Sequence, residues 1–231
     1  MSPQGVSPVK VAEPHLVARL YQETRERMAA MVTARDEGAL AEITVPACPR
    51  WSVRDVLAHV TATAEDCAAG RLTGPPTDDE TAAQVQRFDG HRLKDILAAW
   101  SEAAQALDEM AGTAGIPPPL GDIVSHEHDI RGALGQPGAR DISAVGTVSD
   151  QLLTMLRPPV PLRVVVEDAE YRLGPDSGAA ILLRTNRFEA IRWRTGRRSR
   201  RQLAAMDWSD DPSAVLDHLY LFGPADNDVD E

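Results

Sequence analysis

The segment GDIVSHEHDIRGALG concentrates ionisable side chains in a stretch that also has the apolar residues of a helix. On an α-helix, at about 100° per residue, Asp122 and His126 are separated by about 40° and share a face. Asp129 lies within about 20° of Asp122 on the same stripe, whereas the other ionisable residues point elsewhere. A carboxylate and an imidazole at positions i and i+4 can bind one metal ion, which then needs a third ligand from a neighbouring helix.

His59 is the candidate for that third ligand, because it lies within half a turn of the apolar face of another predicted helix. Two histidines and one carboxylate leave coordination positions open for water or substrate, which is typical of a catalytic metal site. Spacing alone also fits a simpler interpretation, in which Asp122 and His126 form a surface helix contact and His59 is a hydrogen-bonded core residue. The apolar residues around His59 are Val53, Val56, Leu57 and Val60.

The basic run RTGRRSRRQ stands out in a chain whose net charge is −11. One interpretation is a solvated surface turn. The other is functional: Arg197 or Arg198 would meet Asp129 across a cleft between domains, or would bind the anionic groups of a small-molecule substrate and cosubstrate. Within the functional interpretation, Arg198 is the favoured residue, with Asp129 as its catalytic partner.

Composition limits the classes of function that this chain of 231 residues can have. A net charge of −11 argues against broad binding of nucleic acid phosphates, which requires clustered cations. The two cysteines, Cys48 and Cys67, lack the spacing of a structural zinc site and are interpreted as ordinary thiols. The chain has no apolar run long enough to span a membrane, and its start, MSPQGVSPVKVAEPH, has no apolar signal core, so we expect a cytoplasmic protein with no membrane partner.

Hydrophobic periodicity predicts a four-helix bundle in residues 1–141. The segment TGPPTDDETAA, between the second and third of these helices, is predicted to be a turn-rich loop. The helices are expected at about 15–37, 52–70, 89–112 and 120–134.

Residues 142–231 are predicted to form a small α+β domain. The runs LRVVV and AAILLR are expected to be strands, and PSAVLDHLYLFG a closing helix that begins at Asp211. Further helices are expected at about 143–156 and 187–194. The predicted fold class is therefore a two-domain α+β protein.

Three segments, taken in order, match the hallmark segments of one known family. They are CPRWSVRDVLAHVTATAEDCAAGRLTG, SHEHDIRGALGQPG and TGRRSRRQLAAMDW. In these segments the chain resembles the mycothiol-dependent maleylpyruvate isomerase family. The resemblance implies a DinB-like N-terminal four-helix bundle followed by a domain similar to sterol carrier proteins. It also implies a divalent metal, usually zinc, at the positions of His59, Asp122 and His126, although the family acid is commonly the longer glutamate.

The resemblance further implies a metal-dependent enzyme that uses a low-molecular-weight thiol, mycothiol, on a small electrophilic substrate. The thiol would either be returned after isomerisation or be transferred to the substrate. A metal ion would hold that thiol as the thiolate at neutral pH. The alternative is a non-catalytic binding protein with a vestigial metal site. We expect a small-molecule substrate and a thiol cosubstrate as partners, and a monomer or a homodimer.

Overall fold

The computed structural model describes residues 12–72 and 74–231, which form an α+β protein of two compact units. One unit comprises Pro14–Ala144 together with Val229–Glu231, and the other is built on Val145–Asp228. The predicted fold class is confirmed, with a helical first half and a mixed second half. The expectation about the start of the chain falls mainly on residues 1–11, which lie outside the described residues.

The N-terminal unit contains four long helices that pack as a bundle, together with two short helices and a small hairpin. In the bundle, α3 packs against α5 and α6, and α1 packs against α5 and α6. Trp100 and Tyr21 are fully buried between them, and Trp100 Nε1 donates a hydrogen bond of 3.1 Å to the Tyr21 hydroxyl. The elements are α1 (Pro14–Thr33), α2 (Glu37–Glu42), β1 (Thr44–Val45), β2 (Cys48–Ser52), α3 (Val53–Ala68), α4 (Asp78–Gln86), α5 (Leu93–Ala114) and α6 (Leu120–Ala133).

Helix α3 begins where the sequence places its start signal. The Ser52 side chain accepts from the backbone N–H of Asp55, and the Asp55 carboxylate accepts from the backbone N–H of Ser52. This reciprocal capping satisfies two amide donors that the first turn of a helix would otherwise leave without partners. The apolar residues that predicted the helix are at most 1% exposed, so α3 is anchored in the core.

Helix α4 lies where a loop was predicted, and that prediction was wrong for residues 78–83. Thr77 and Glu80 form a capping box, and three acidic residues in the first turn complement the positive end of the helix dipole. Because α4 has no apolar stripe, hydrophobic periodicity could not reveal it. Gln84 is the one buried residue of this helix, at 2% exposure, and it is polar. Polar contacts therefore hold this helix in place.

The C-terminal unit contains a four-stranded sheet in the order β4-β3-β5-β6. Strands β3 and β5 run parallel, and the other two pairings are antiparallel. Trp193, Leu183 and Leu203 are fully buried in the core of this unit. Its elements are α7 (Ser143–Thr154, whose first two residues belong to the other unit), β3 (Leu162–Val165), β4 (Glu170–Leu173), β5 (Ile181–Arg184), α8 (Arg187–Arg194), α9 (Arg200–Ala204) and β6 (Asp207–Trp208).

The predicted closing helix is absent, and two 3₁₀ turns, Pro212–Ala214 and Leu216–His218, take its place. Asp211 does accept a hydrogen bond from the backbone of Ser213, as expected of a start signal. The backbone then continues with i to i+3 bonds, such as Val215 N–H to the Pro212 carbonyl at 2.9 Å, and no α-helical ladder forms. None of the helices in the described part of the chain combines the length and apolar composition that crossing a bilayer requires.

Candidate metal centre

Two helices of the bundle bring together His59, Asp122 and His126, the three predicted ligands. Asp122 Oδ1 lies 3.5 Å from His59 Nε2 and 3.6 Å from His126 Nε2. All three candidate ligand atoms lie within 4.8 Å of one another. Ligand atoms bound at about 2.0–2.1 Å to a tetrahedral zinc ion lie about 3.3–3.4 Å apart, which is close to the two distances from Asp122. The side chain of Asp122 is long enough to reach both imidazoles.

His126 is oriented by a buried carboxylate on its own helix. Its Nδ1 lies 2.8 Å from Asp129 Oδ2, and the Asp129 side chain is fully buried. At this distance an ionised carboxylate, which can only accept, favours the proton on Nδ1 and so leaves the Nε2 lone pair facing Asp122. Burial lowers the pKa of His126, although Asp129 and Asp122 oppose the shift, so the ring is neutral at pH 7 and able to bind a metal.

His59 is oriented by the side-chain amide of Gln84. Its Nδ1 lies 3.0 Å from Gln84 Oε1, and both side chains are almost fully buried. With Nδ1 donating to this oxygen, the Nε2 lone pair of His59 also faces Asp122. Two imidazole lone pairs and a carboxylate oxygen therefore converge on one point, an arrangement that a cation stabilises and that mutual repulsion would otherwise disfavour.

Trp51 and Cys48, on the hairpin strand β2, border the same group of side chains. The Trp51 ring centroid is 4.9 Å from that of His59 and 6.1 Å from that of His126. Cys48 Sγ donates to Asp129 Oδ2 at 3.6 Å, and Cys48, His126 and Asp129 form a second group able to hold an ion. From the sequence, Cys48 was interpreted as an ordinary thiol, and neither residue was predicted at the site. Their position directly before the start of α3 was the available signal.

The second cysteine, Cys67, is a poor candidate for a protein nucleophile. Burial raises its pKa to about 11, and the negative charges of Asp122 and Asp66 add to the shift. At neutral pH the side chain is therefore the thiol rather than the reactive thiolate. Cys67 therefore does not supply a thiolate for a thiol-dependent reaction.

Arg197 and Arg198 lie in the C-terminal unit, in the turn that follows α8. Arg198 is 6% exposed and makes a two-pronged ion pair with Glu189, with Nε and Nη2 at 2.8 and 2.7 Å from the two carboxylate oxygens. Arg197 Nη1 donates to the Thr195 carbonyl at 2.6 Å. Gly196 allows this turn, since its φ is +81° and a Cβ there would lie 2.7 Å from the Gly223 carbonyl oxygen.

These contacts hold both guanidinium groups in defined positions. Because Arg198 is buried, the interpretation of the basic run RTGRRSRRQ as a solvated surface turn does not fit this residue. Their expected roles toward Asp129, a substrate or a thiol stay predictions.

The N-terminal unit matches a known domain family along most of its length. Residues 21–127 match the family model described as the mycothiol maleylpyruvate isomerase N-terminal domain, and this range includes all three candidate ligands. No curated protein matches the chain.

Solved structures with the same fold include a mycothiol-dependent maleylpyruvate isomerase and a mutant of it in which a histidine is replaced by alanine. Each is 13% identical and covers 82% of this chain and 90% of its own, with TM-scores of 0.50 for the isomerase and 0.52 for the mutant. At this identity the likeness shows the fold alone, whereas the family model matches the sequence itself. The family resemblance is confirmed, since residues 21–127 match the mycothiol maleylpyruvate isomerase N-terminal domain family.

Proposed function

We propose that the protein is a metal-dependent isomerase that uses mycothiol on a small electrophile with an activated double bond. The observation that carries the proposal is the convergence of the His59, Asp122 and His126 ligand atoms within 4.8 Å, inside a bundle of this family. Each imidazole has a polar partner within 3.0 Å of its other nitrogen, which is the usual arrangement for histidines that bind a metal.

Zinc is the proposed ion, because two imidazoles and one carboxylate form a donor set that suits it and leave a fourth position open. When bound, such an ion supplies Lewis acidity that keeps a coordinated thiol deprotonated at neutral pH. The residues of the chain orient this centre: Asp129 and Gln84 hold the two rings, and Trp51 packs beside them. Cys67 remains protonated, and the proposed nucleophile is the external thiol.

For isomerisation, the thiolate sulfur would form a bond to one carbon of the double bond while the π electrons move onto the conjugated carbonyl. Rotation about the resulting single bond follows. Loss of the same thiolate then breaks the carbon–sulfur bond and restores the double bond in the other geometry. No oxidant is needed, and the thiol returns unchanged. Arg197 and Arg198 are proposed to bind the anionic groups of substrate and thiol, with Arg198 in a catalytic role and Asp129 contributing to catalysis through His126.

A turnover experiment with limiting thiol tests this proposal. Maleylpyruvate is the test substrate, supplied in large excess over mycothiol, and the product is followed by NMR. We expect many turnovers per mycothiol, no turnover with the thiol omitted, and loss of activity after treatment with a strong chelator, restored by zinc. Consumption of one thiol per product would instead indicate a transferase. Absence of turnover by metal-loaded protein would favour the non-catalytic binding protein.

A further inference from the structure

The proposed function requires His59 to present an unprotonated Nε2, and a chain of buried polar contacts lies behind the ring. His59, Thr63 and Asp66 occupy positions i, i+4 and i+7 of α3, so they share one face. Gln84, from α4, lies across this face, with its amide oxygen 3.0 Å from His59 Nδ1 and its amide nitrogen 2.9 Å from Asp66 Oδ2. The Thr63 hydroxyl donates weakly to the same amide oxygen, at 3.5 Å.

Asp66 determines which way the Gln84 amide faces. An ionised carboxylate can only accept, so the NH₂ group must face Asp66 and the oxygen must face His59. Arg71 donates to Asp66 Oδ1 at 2.9 and 2.6 Å, and Arg87 donates to both carboxylate oxygens at 2.9 and 3.1 Å. Burial alone would raise the pKa of Asp66, but hydrogen bonds from Gln84, Arg71 and Arg87 outweigh it and hold the pKa below its ordinary value. The carboxylate therefore stays ionised at neutral pH.

We propose that Asp66 and Gln84 are positioning residues for the metal centre, which act by holding His59 in the tautomer with the proton on Nδ1. This inference rests on the proposed metal site. Asp66 acts on His59 through the Gln84 amide. Because the Asp66 carboxylate can only accept, the amide NH₂ group faces Asp66, and the amide oxygen, which is also an acceptor, faces the imidazole. Outer partners of this kind commonly change metal affinity by about 10–100-fold.

Replacing Asp66 with asparagine should reverse this chain of hydrogen bonds. In this variant Arg71 and Arg87 bind the side-chain oxygen at position 66, so the NH₂ group at that position faces Gln84. The Gln84 amide then turns round to present its oxygen to this NH₂ group. Its own NH₂ then faces His59, whose proton moves to Nε2 and blocks that ligand position. Adding Gln84→Glu to Asp66→Asn restores an acceptor opposite His59 and should restore the wild-type tautomer.

The test measures zinc dissociation constants by competition with a chromophoric chelator, for each variant as a full-length protein. We expect Gln84→Leu and Asp66→Asn to weaken zinc binding by about 10–100-fold, and the Asp66→Asn/Gln84→Glu double variant to recover most of the loss. Gln86→Leu is the control for α4, because Gln86 is exposed. Glu65→Gln is the control for charge. Glu65 is the other carboxylate that binds Arg87, at 2.9 Å, so this variant removes a neighbouring negative charge but leaves the hydrogen bonds of Gln84 in place. Equal zinc affinity in Gln84→Leu and wild type, or no recovery in the double variant, would overturn the inference.

A second measurement separates this inference from the proposed function. Long-range ¹H–¹⁵N spectra of the metal-free protein report the tautomer of His59 directly. The wild type should carry the proton on Nδ1 and Asp66→Asn should carry it on Nε2, whether or not zinc binds. A wild-type protein that binds no zinc but shows the Nδ1–H tautomer would contradict the proposed function alone. An Nε2–H tautomer in the wild type would contradict the inference itself.

Discussion

Replacing His126 with alanine is expected to leave the protein without a bound metal ion. The change removes one of three candidate ligands, and the remaining pair, His59 and Asp122, cannot hold a divalent ion tightly. Since loss of an outer hydrogen-bond partner already weakens metal binding by about 10–100-fold, loss of a ligand should weaken it by more than about 100-fold. Metal content after gel filtration in a weakly chelating buffer, measured by plasma mass spectrometry, gives the result directly.

The matched control for that experiment is His91→Ala, because His91 is exposed and belongs to the same unit. It should retain one metal ion per chain. His59→Ala should behave like His126→Ala, and circular dichroism should show that both variants keep their helices. If His126→Ala retained a stoichiometric ion, the ligand assignment would be wrong.

Replacing Glu127 with alanine is expected to lower the free energy of unfolding by about 3 kcal/mol. Glu127 is fully buried and accepts two hydrogen bonds from Arg27 of α1, at 2.9 and 2.8 Å, and two from Arg131 of its own helix, at 3.1 and 2.9 Å. These hydrogen bonds outweigh burial and hold the pKa of Glu127 below its ordinary value. The alanine variant leaves both guanidinium groups without this partner, and a cavity replaces the carboxylate.

The expected loss lies at the lower end for a broken buried ion pair, about 3–5 kcal/mol, because Arg27 is 28% exposed and can turn toward water. Urea denaturation with a chelator present measures it without a contribution from bound metal. Glu23→Ala is the matched control, since its pair with Arg19 is exposed and worth at most about 1 kcal/mol. A similar effect for both variants would contradict the proposed role of Glu127 in joining α1 to α6.

The long helices of the bundle could be predicted from sequence because their stability comes from apolar stripes, which periodicity detects. The i, i+4 pair of Asp122 and His126 followed from helix geometry in the same way. His59 was a candidate partner because it lies near the apolar face of another predicted helix, and the family resemblance supported that choice. Spacing within one helix does not show which helix faces it.

Helix α4 and the polar chain behind His59 could not be predicted by this route. Gln84 lies 25 residues from His59 and 18 from Asp66 along the chain, and the contacts depend on tertiary packing. The capping box of Thr77 and Glu80 was visible in the sequence, but the prolines before it favoured a loop. The prediction of a closing helix failed for the opposite reason. The apolar residues of that segment, including Val215 and Leu219, are buried as a helix would require, but the backbone forms 3₁₀ turns there.

The most direct measurement is anomalous diffraction from a zinc-loaded crystal, with data collected on both sides of the zinc absorption edge. We expect one strong peak within about 2.0–2.2 Å of His59 Nε2, His126 Nε2 and an Asp122 carboxylate oxygen. Absence of a peak between these atoms, or an ion bound instead by Cys48 and Asp129, would contradict this expectation.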